Sequence, residues 1–189
     1  MLEYLNEIDT QLFLLINGAH SPFWDAAMVK ITHSRTWIPL YVLIIGGLIY
    51  KFRVNGLKLV IIILLLIGFT DQFSSRLAKP GFERLRPSHN ELLSNKIHII
   101  DNYRGGTYGY FSSHASNTFV LCTFLSLLFY KKRKWVLVFI PWAVIVSYSR
   151  IYVGVHYPGD ILTRMIFGAL CAVLCYRMFK NNLIKLIQE

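Results

Sequence analysis

Five long apolar stretches divide the 189-residue chain: Trp37 to Tyr50, Leu57 to about Leu77, about Ala115 to Tyr130, Trp135 to about Tyr148, and Ile161 to Phe179. Such runs constrain a fold strongly. A backbone inside lipid has no water to satisfy its N–H and C=O groups, so each segment must close its hydrogen bonds on itself as helix. Several stretches are shorter than the ~20 residues that cross a bilayer, but their flanks extend them as helix. Trp37, Tyr50, Tyr130 and Trp135 stand at their ends, where aromatic side chains mark membrane interfaces. All five are read as spans. A hydrophobic content of 54% and a mean hydropathy of +0.45 fit that reading, because an average soluble chain is about 45–50% apolar.

Ahead of the spans, Leu2, Leu5, Ile8, Leu12, Leu15 and Ile16 recur at helical spacing with Glu3, Glu7 and Asp9 on the remaining face, which predicts an amphipathic interfacial helix. The same acidic start is unlike the basic opening of a secretory signal, so no cleaved signal is expected. The next piece, Ser21 to Thr32, opens with Ser-Pro and contains Trp24 and Asp25; it fits a further span, a re-entrant piece or an interfacial helix. The fold class expected is therefore an all-α integral membrane protein, a bundle of about five or six transmembrane helices with an N-terminal amphipathic helix, forming one domain over residues 1–189. Cys122, Cys171 and Cys175 all fall in apolar segments and read as small buried hydrophobes rather than a disulfide framework.

Charge orients the bundle. Lys51, Arg53, Lys58, the Lys131 to Lys134 turn, Arg177, Lys180 and Lys185 hold ten of the twenty lysines and arginines, and five spans put all of them on one side. The positive-inside rule makes that side cytoplasmic. The long Ala78 to His114 loop and the Arg150 to Asp160 turn then share the outer face. That face carries Lys79, Arg84, Arg86, Lys96, Arg104 and Arg150, which suits an anionic ligand. The net charge of +10 is accounted for by orientation and by that ligand, so no nucleic-acid partner is expected.

Three polar clusters interrupt residues 79–160: Lys79 with Arg86-Pro87, then Ser112-Ser113-His114, then Arg150 with His156 and Asp160. Phosphoryl transfer needs these parts. Arg86 and Arg150 offer planar forks for phosphate oxygens and Lys79 a compact charge. Ser112 and Ser113 stand where the loop enters a helix, so their backbone N–H groups and the helix N-terminus can face the same anion. Two histidines supply a nucleophile and a general acid and base, and Asp160 can orient His156. Spacing alone allows either histidine to attack. Arg164, one turn past Asp160, competes as an ordinary i,i+4 partner for it.

The clusters, in this order, resemble the type 2 phosphatidic acid phosphatase superfamily, lipid phosphate phosphatases that share a fold with vanadium haloperoxidases. Lys79-Pro-Gly-Phe-Glu-Arg-Leu-Arg86-Pro87 and Ser149-Arg150 through His156 to Asp160 follow the family pattern; Phe111-Ser112-Ser113-His114 departs from it, with Phe for Pro and Ser for Gly. The resemblance implies His156 as nucleophile through a phosphohistidine, His114 as acid and base, and Asp160 as the partner of His156. It implies phosphate binding by Lys79, Arg86, Ser112, Ser113 and Arg150. By analogy with small bacterial relatives, undecaprenyl diphosphate leads as substrate. Phosphatidylglycerophosphate, phosphatidic acid and a lipid A phosphate stand as alternatives, and the expected location is the outer face of the bacterial inner membrane. A lipid phosphotransferase shares the same first step. A binder without turnover fits less well, since binding needs only the cations, and a soluble haloperoxidase would not need the spans.

The motifs require no cofactor. No pair among the other histidines has ligand spacing with a suitable third residue, so no metal is expected. Asp71 and Gln72 lie within a span, with Arg164 or Arg76 as candidate structural partners for Asp71. His89, His98 and Asp101 sit in the outer loop and are read as solvated, with contact to a lipid headgroup as the alternative, and His20 and His33 as the polar ends of the Ser21 to Thr32 piece.

Overall fold

The computed structural model describes residues 1–76, 84–109 and 113–188. Among these, six α-helices follow in order: α1 (Leu2–Gly18), α2 (Pro22–Thr32), α3 (Ile38–Arg76), α4 (Ser113–Phe129), α5 (Phe139–Tyr152) and α6 (Pro158–Leu186). Short 3-10 turns at Ser34–Trp37 and Lys134–Val138 lead into α3 and α5.

The α3 run is not one rod. Arg53 sits at φ 54° and ψ −127°, a backbone conformation that L-residues rarely adopt. Beyond it Gly56 lies directly against the Leu48 carbonyl, although the same two residues would be about 12 Å apart in a continuous helix. The chain therefore reverses at Arg53, and the arms 38–52 and 54–76 lie side by side. The connection expected over Lys51 to Asn55 is compressed to that reversal, because both flanks continue as helix. Among the described residues, three helical stretches are long and apolar enough to cross a membrane, Ser34–Phe73, Lys134–Tyr152 and Pro158–Leu186. The first supplies two crossings, one per arm, and the shorter apolar helix His114–Phe129 the fifth. In α6 the helix breaks at Phe179 (φ −112°, ψ 17°), where the fifth apolar stretch of the sequence ends.

The central helix is α4. Phe124 is wholly buried, and with Leu121 and Leu125 it packs on Leu59 and Ile63 of α3, Val136 and Ala143 around α5, and Ala172 of α6. Close contact with α6 depends on Gly168, where a side chain would come within 3.1 Å of Ser116 Cα; small residues let membrane helices approach in this way. Outward, Leu43, Leu65 and Leu174 are 72%, 67% and 58% exposed. That apolar belt is the surface for lipid chains. Cys122 is buried while Cys171 and Cys175 are partly buried, all three as free thiols.

Helix α1 is amphipathic in the expected register but docks by its other face. Leu5, Leu12 and Leu15 point outward, whereas Phe13 and Asn17 are buried and Asp9 partly so. Helix α2 spans 11 residues, about 16 Å of helix, too short to cross. It lies against α5, with Met28 packed on Tyr152 and Val153. Ser21 caps it, its Oγ accepting from Trp24 N at 3.4 Å, and Pro22 takes the first helical position, where its missing N–H costs nothing.

The helix ends sort the polar residues. Arg150 ends α5, Asp160 opens α6, His114 opens α4, and Thr32 and Ser34 precede α3, all at one end of the bundle. At the other end Lys51, Lys132 and Arg133 line a cleft with Ile187 and Gln188.

Candidate active site

His156 lies in the turn between α5 and α6 and is wholly buried. Among the described residues neither ring nitrogen has a hydrogen-bond partner. Nδ1 is 4.0 Å from Asp160 Oδ2, and the Gly109 backbone faces the ring without meeting hydrogen-bond geometry. A buried polar group left unpaired costs about 1–3 kcal/mol, which a purely structural histidine would not carry. Burial, reinforced by the Arg150 and Arg86 cations and by His114, holds the His156 pKa well below the usual imidazole value. The ring is thus neutral near pH 7, with a lone pair available for attack.

Asp160 does not reach His156 because its oxygens are engaged. Oδ2 accepts from Tyr157 N at 3.1 Å, and Oδ1 accepts from Arg84 Nη1 at 3.0 Å. Among the described residues Arg84, rather than the i,i+4 candidate Arg164, is the cation bonded to Asp160. Arg84 Nη1 also bonds Asp9 Oδ2 at 2.7 Å, and its guanidinium lies 3.8 Å from the Tyr157 ring centroid. Burial works against the Arg84 charge, yet the Asp160 and Asp9 carboxylates outweigh it and raise its pKa. Asp9 in turn accepts from Gly159 N at 2.7 Å. Helix α1 thereby holds the first turn of α6, and with it the carboxylate beside His156.

Arg86 is set by a short antiparallel pairing. Leu85 bridges Tyr108, flanked by Arg86 N to Thr107 O at 3.1 Å and Gly109 N to Arg84 O at 2.9 Å. The Arg86 side chain donates from Nε to Tyr108 O at 3.0 Å and lies over Gly105. At φ +67°, Gly105 could take a side chain only with strain, and a Cβ there would strike Arg86 Nη1. Arg150, 4% exposed, donates from Nη1 to Thr32 Oγ1 at 2.8 Å and to Tyr103 OH at 2.9 Å. Its buried Nε has no partner among the described residues. Burial and the neighbouring Arg150 charge lower the Arg86 pKa. Two such cations in proximity repel each other, and an anion between them relieves that repulsion.

His114 stands in the first turn of α4, within electrostatic range of Arg150, Arg86 and His33, and its Nε2 is 2.9 Å from Ser34 Oγ. Beneath it an apolar cavity of about 470 Å³ runs between the two arms of α3, α4 and α5. Ser34, His114 and Asn117 form its polar end; Leu48, Ile63 and Val146 are among its walls. Asp71 Oδ2 accepts from Asn117 Nδ2 at 3.5 Å.

The structure thus gathers His156, Asp160, Arg86, Arg150 and His114 at one end of the bundle. Lys79 and Ser112 lie outside the described residues, and Ser113 is described only as the first residue of α4. Asp9, Thr32, Ser34, Arg84 and Tyr103 join the site although the motif reading gave none of them a role in it. Arg84 alone had a signal, as a cation between Lys79 and Arg86. The reading of His98 as a solvated loop residue is also corrected: its Nε2 meets Asp25 Oδ2 at 2.8 Å.

Known proteins resemble this chain in sequence and in fold. The profile of the PAP2 superfamily matches residues 56–184. A lipid A 4'-phosphatase of Bacteroides thetaiotaomicron is 41% identical over 179 residues, covering 93% of this chain and 79% of that protein. One from Porphyromonas gingivalis is 34% identical over 182 residues, covering 94% and 75%. The crystal structure of a transmembrane PAP2-type phosphatidylglycerolphosphate phosphatase from Bacillus subtilis superposes with a TM-score of 0.70 at 24% identity, covering 94% of this chain and 87% of that one, and shares the fold.

Proposed function

The chain belongs to the PAP2 superfamily and is a membrane lipid phosphatase, and on that premise we propose that it moves a lipid's phosphoryl group to His156 and then to water, without a catalytic metal. The observation that carries this reading is the convergence of a buried, unpaired, neutral His156 with Arg86, Arg150 and His114. Nδ1 faces Asp160, which leaves Nε2 to attack phosphorus. As the N–P bond forms, the bond from phosphorus to the lipid oxygen breaks, and His114 gives that oxygen its proton. Water then attacks the phosphohistidine, His114 takes the water proton, the N–P bond breaks and inorganic phosphate leaves. Arg86, Arg150, Lys79 and the backbone of Ser112 and Ser113 hold the phosphate oxygens, strengthening as charge builds in the transition state.

The lipid's apolar chains occupy the cavity below His114, whose lining beyond Asn117 is mostly apolar, with Trp37 and Tyr41 beside the aliphatic residues. A lipid A phosphate is the leading substrate in this reading, ahead of the undecaprenyl diphosphate expected from the motifs. Two relatives named for that activity support it, and so does Asn117, backed by Asp71, a polar contact for the amides and hydroxyls of an acylated sugar. The mostly apolar lining of the cavity favours undecaprenyl diphosphate as the second reading. The site faces the outer side of a bacterial inner membrane in this proposal. Its support is the cationic cleft at the opposite end of the bundle, which the positive-inside rule puts in the cytoplasm. The 189 residues act as one domain.

Phosphate release by purified protein in detergent with EDTA tests the proposal across lipid A, undecaprenyl diphosphate, phosphatidylglycerophosphate and phosphatidic acid. Release is expected fastest from lipid A and absent in His156→Ala. A labelled second lipid in place of inorganic phosphate would make the protein a transferase.

A further inference from the structure

Apart from the phosphate site, three ligating side chains from separate parts of the chain meet. His20 comes from the α1–α2 connection, Asp25 from the first turn of α2 and His98 from the loop before α4. One ligand atom of each lies within 4.8 Å of the other two. His98 Nε2 is 2.8 Å from Asp25 Oδ2, and the His20 and His98 rings stack 3.7 Å apart at 6°. None of the three has a part in the phosphoryl chemistry.

The groups behind them are organised. Asn17, 1% exposed, grips the His98 backbone with both ends of its amide: Oδ1 accepts from His98 N at 2.7 Å and Nδ2 donates to His98 O at 2.9 Å. The same Nδ2 donates to Tyr152 O at 2.8 Å. Tyr152 OH donates to Asp25 Oδ1 at 2.7 Å, leaving Oδ2 turned to the histidines, and accepts from Ser21 N at 3.2 Å. Ligands fixed from behind by hydrogen bonds are the pattern of metal centres. His20 is exposed and closes the cluster from the solvent side.

We propose that His20, Asp25 and His98 bind a transition-metal dication, Zn²⁺ before others, at a site distinct from the phosphate site. Two imidazoles and one carboxylate suit Zn²⁺; Mg²⁺ and Ca²⁺ prefer shells of oxygen. Tetrahedral zinc bonds of about 2.0–2.1 Å put ligand atoms roughly 3.3 Å apart. Rotation of the exposed His20 ring and a small shift of the other two reach that geometry without moving the backbone. The proton that His98 Nε2 presents to Asp25 is exchanged through solvent to Nδ1, so the neutral ring offers Nε2 to the metal, and water fills the fourth position. The bound ion ties the α1–α2 connection and the loop to Tyr152, two residues beyond Arg150, and so stiffens the rim of the phosphate site without entering its chemistry.

The test is Zn²⁺ titration of tag-free, EDTA-stripped protein in detergent, following the melting temperature and counting zinc retained after gel filtration. One zinc per chain and a melting temperature higher by several degrees are expected. His20→Gln, on an exposed side chain, is expected to fold, to release phosphate in EDTA at the wild-type rate, and to bind zinc at least about tenfold more weakly. Tyr152→Phe, which removes only the hydroxyl holding Asp25, is expected to weaken binding by about tenfold or more. Failure of the wild type to retain zinc overturns the proposal and leaves the cluster a clasp of hydrogen bonds and stacked rings. Equal zinc affinity in wild type and His20→Gln also overturns it, because the ion then sits elsewhere, as on His114 and His156.

Discussion

The two histidines of the site are held in opposite ways. His156 is wholly buried, and the carboxylate beside it is fixed by Arg84, which is fixed by Asp9, which also grips the first turn of α6. His114 is held by one hydroxyl, Ser34 Oγ, at the mouth of an apolar cavity. The difference follows from the chemistry proposed. A nucleophile must meet phosphorus at one angle every turnover, so rigidity there lowers the barrier. The acid must meet a leaving oxygen attached to a large lipid that enters and departs, so its side of the site has to open.

The largest effect should fall on the rigid side. His156→Ala is expected to reduce phosphate release by about 10⁴-fold or more, the scale on which removal of a nucleophile acts. Residual release within about tenfold of wild type would move the nucleophile to His114 and reverse the comparison. Next in size, Arg84→Ala frees Asp160 Oδ1 and cuts the tie to α1. An expected fall of about 100-fold in kcat, with KM changed much less, would mark Arg84 as a positioning residue. Arg84→Lys should recover part of that loss, since it restores the charge without the fork. A loss confined to KM would instead put Arg84 among the groups that bind substrate in its ground state.

The rigid side also predicts a pH signature. Burial and the two arginines depress the folded-state pKa of His156, whereas an unfolded histidine titrates near about 6.5. The unfolded chain therefore binds a proton that the folded chain refuses. The His156 contribution to stability is complete above about pH 6.5 and is lost as pH falls below it toward the folded pKa. Melting temperatures of the substrate-free protein should drop as pH falls from 7 toward 5, and more gently in His156→Asn. Parallel curves for the two proteins would show that burial does not keep the ring neutral.

The same contrast decides what could be read from the sequence. The spans were legible because a lipid-crossing backbone admits few solutions, and the break at Phe179 falls where the apolar run ends. Arg86, His114, Arg150, His156 and Asp160 were legible through their spacing. Asp9 was not: it belongs to the polar face of an amphipathic helix, where a carboxylate reads as solvated, and its partners Arg84 and Gly159 are remote in sequence. Periodicity shows that α1 has two faces, yet here Leu5, Leu12 and Leu15 stay exposed and the protein takes Asp9, Phe13 and Asn17. Ser34 and Thr32 escaped for a similar reason, since single hydroxyls at a helix end and in a short turn have no pattern. The cluster of His20, Asp25 and His98 was invisible to ligand spacing because its members arrive from a connection, a helix and a loop.

The smallest effect is expected on the open side, and it is the most discriminating. Ser34→Ala removes the hydroxyl that meets His114 Nε2 at 2.9 Å and leaves the rest of α4 in place. If His114 must stay adaptable to serve a mobile leaving group, one lost hydrogen bond of about 1 kcal/mol should lower kcat by roughly fivefold. The loss should shrink further with a substrate whose leaving group needs little protonation, such as a nitrophenyl phosphate, because the acid then matters less. A loss near 100-fold that persists with the activated substrate would mean that Ser34 fixes His114 as firmly as Arg84 and Asp9 fix the other side. The cavity mouth would then be a rigid wall, and lipid exchange would have to proceed by separation of the two arms of α3.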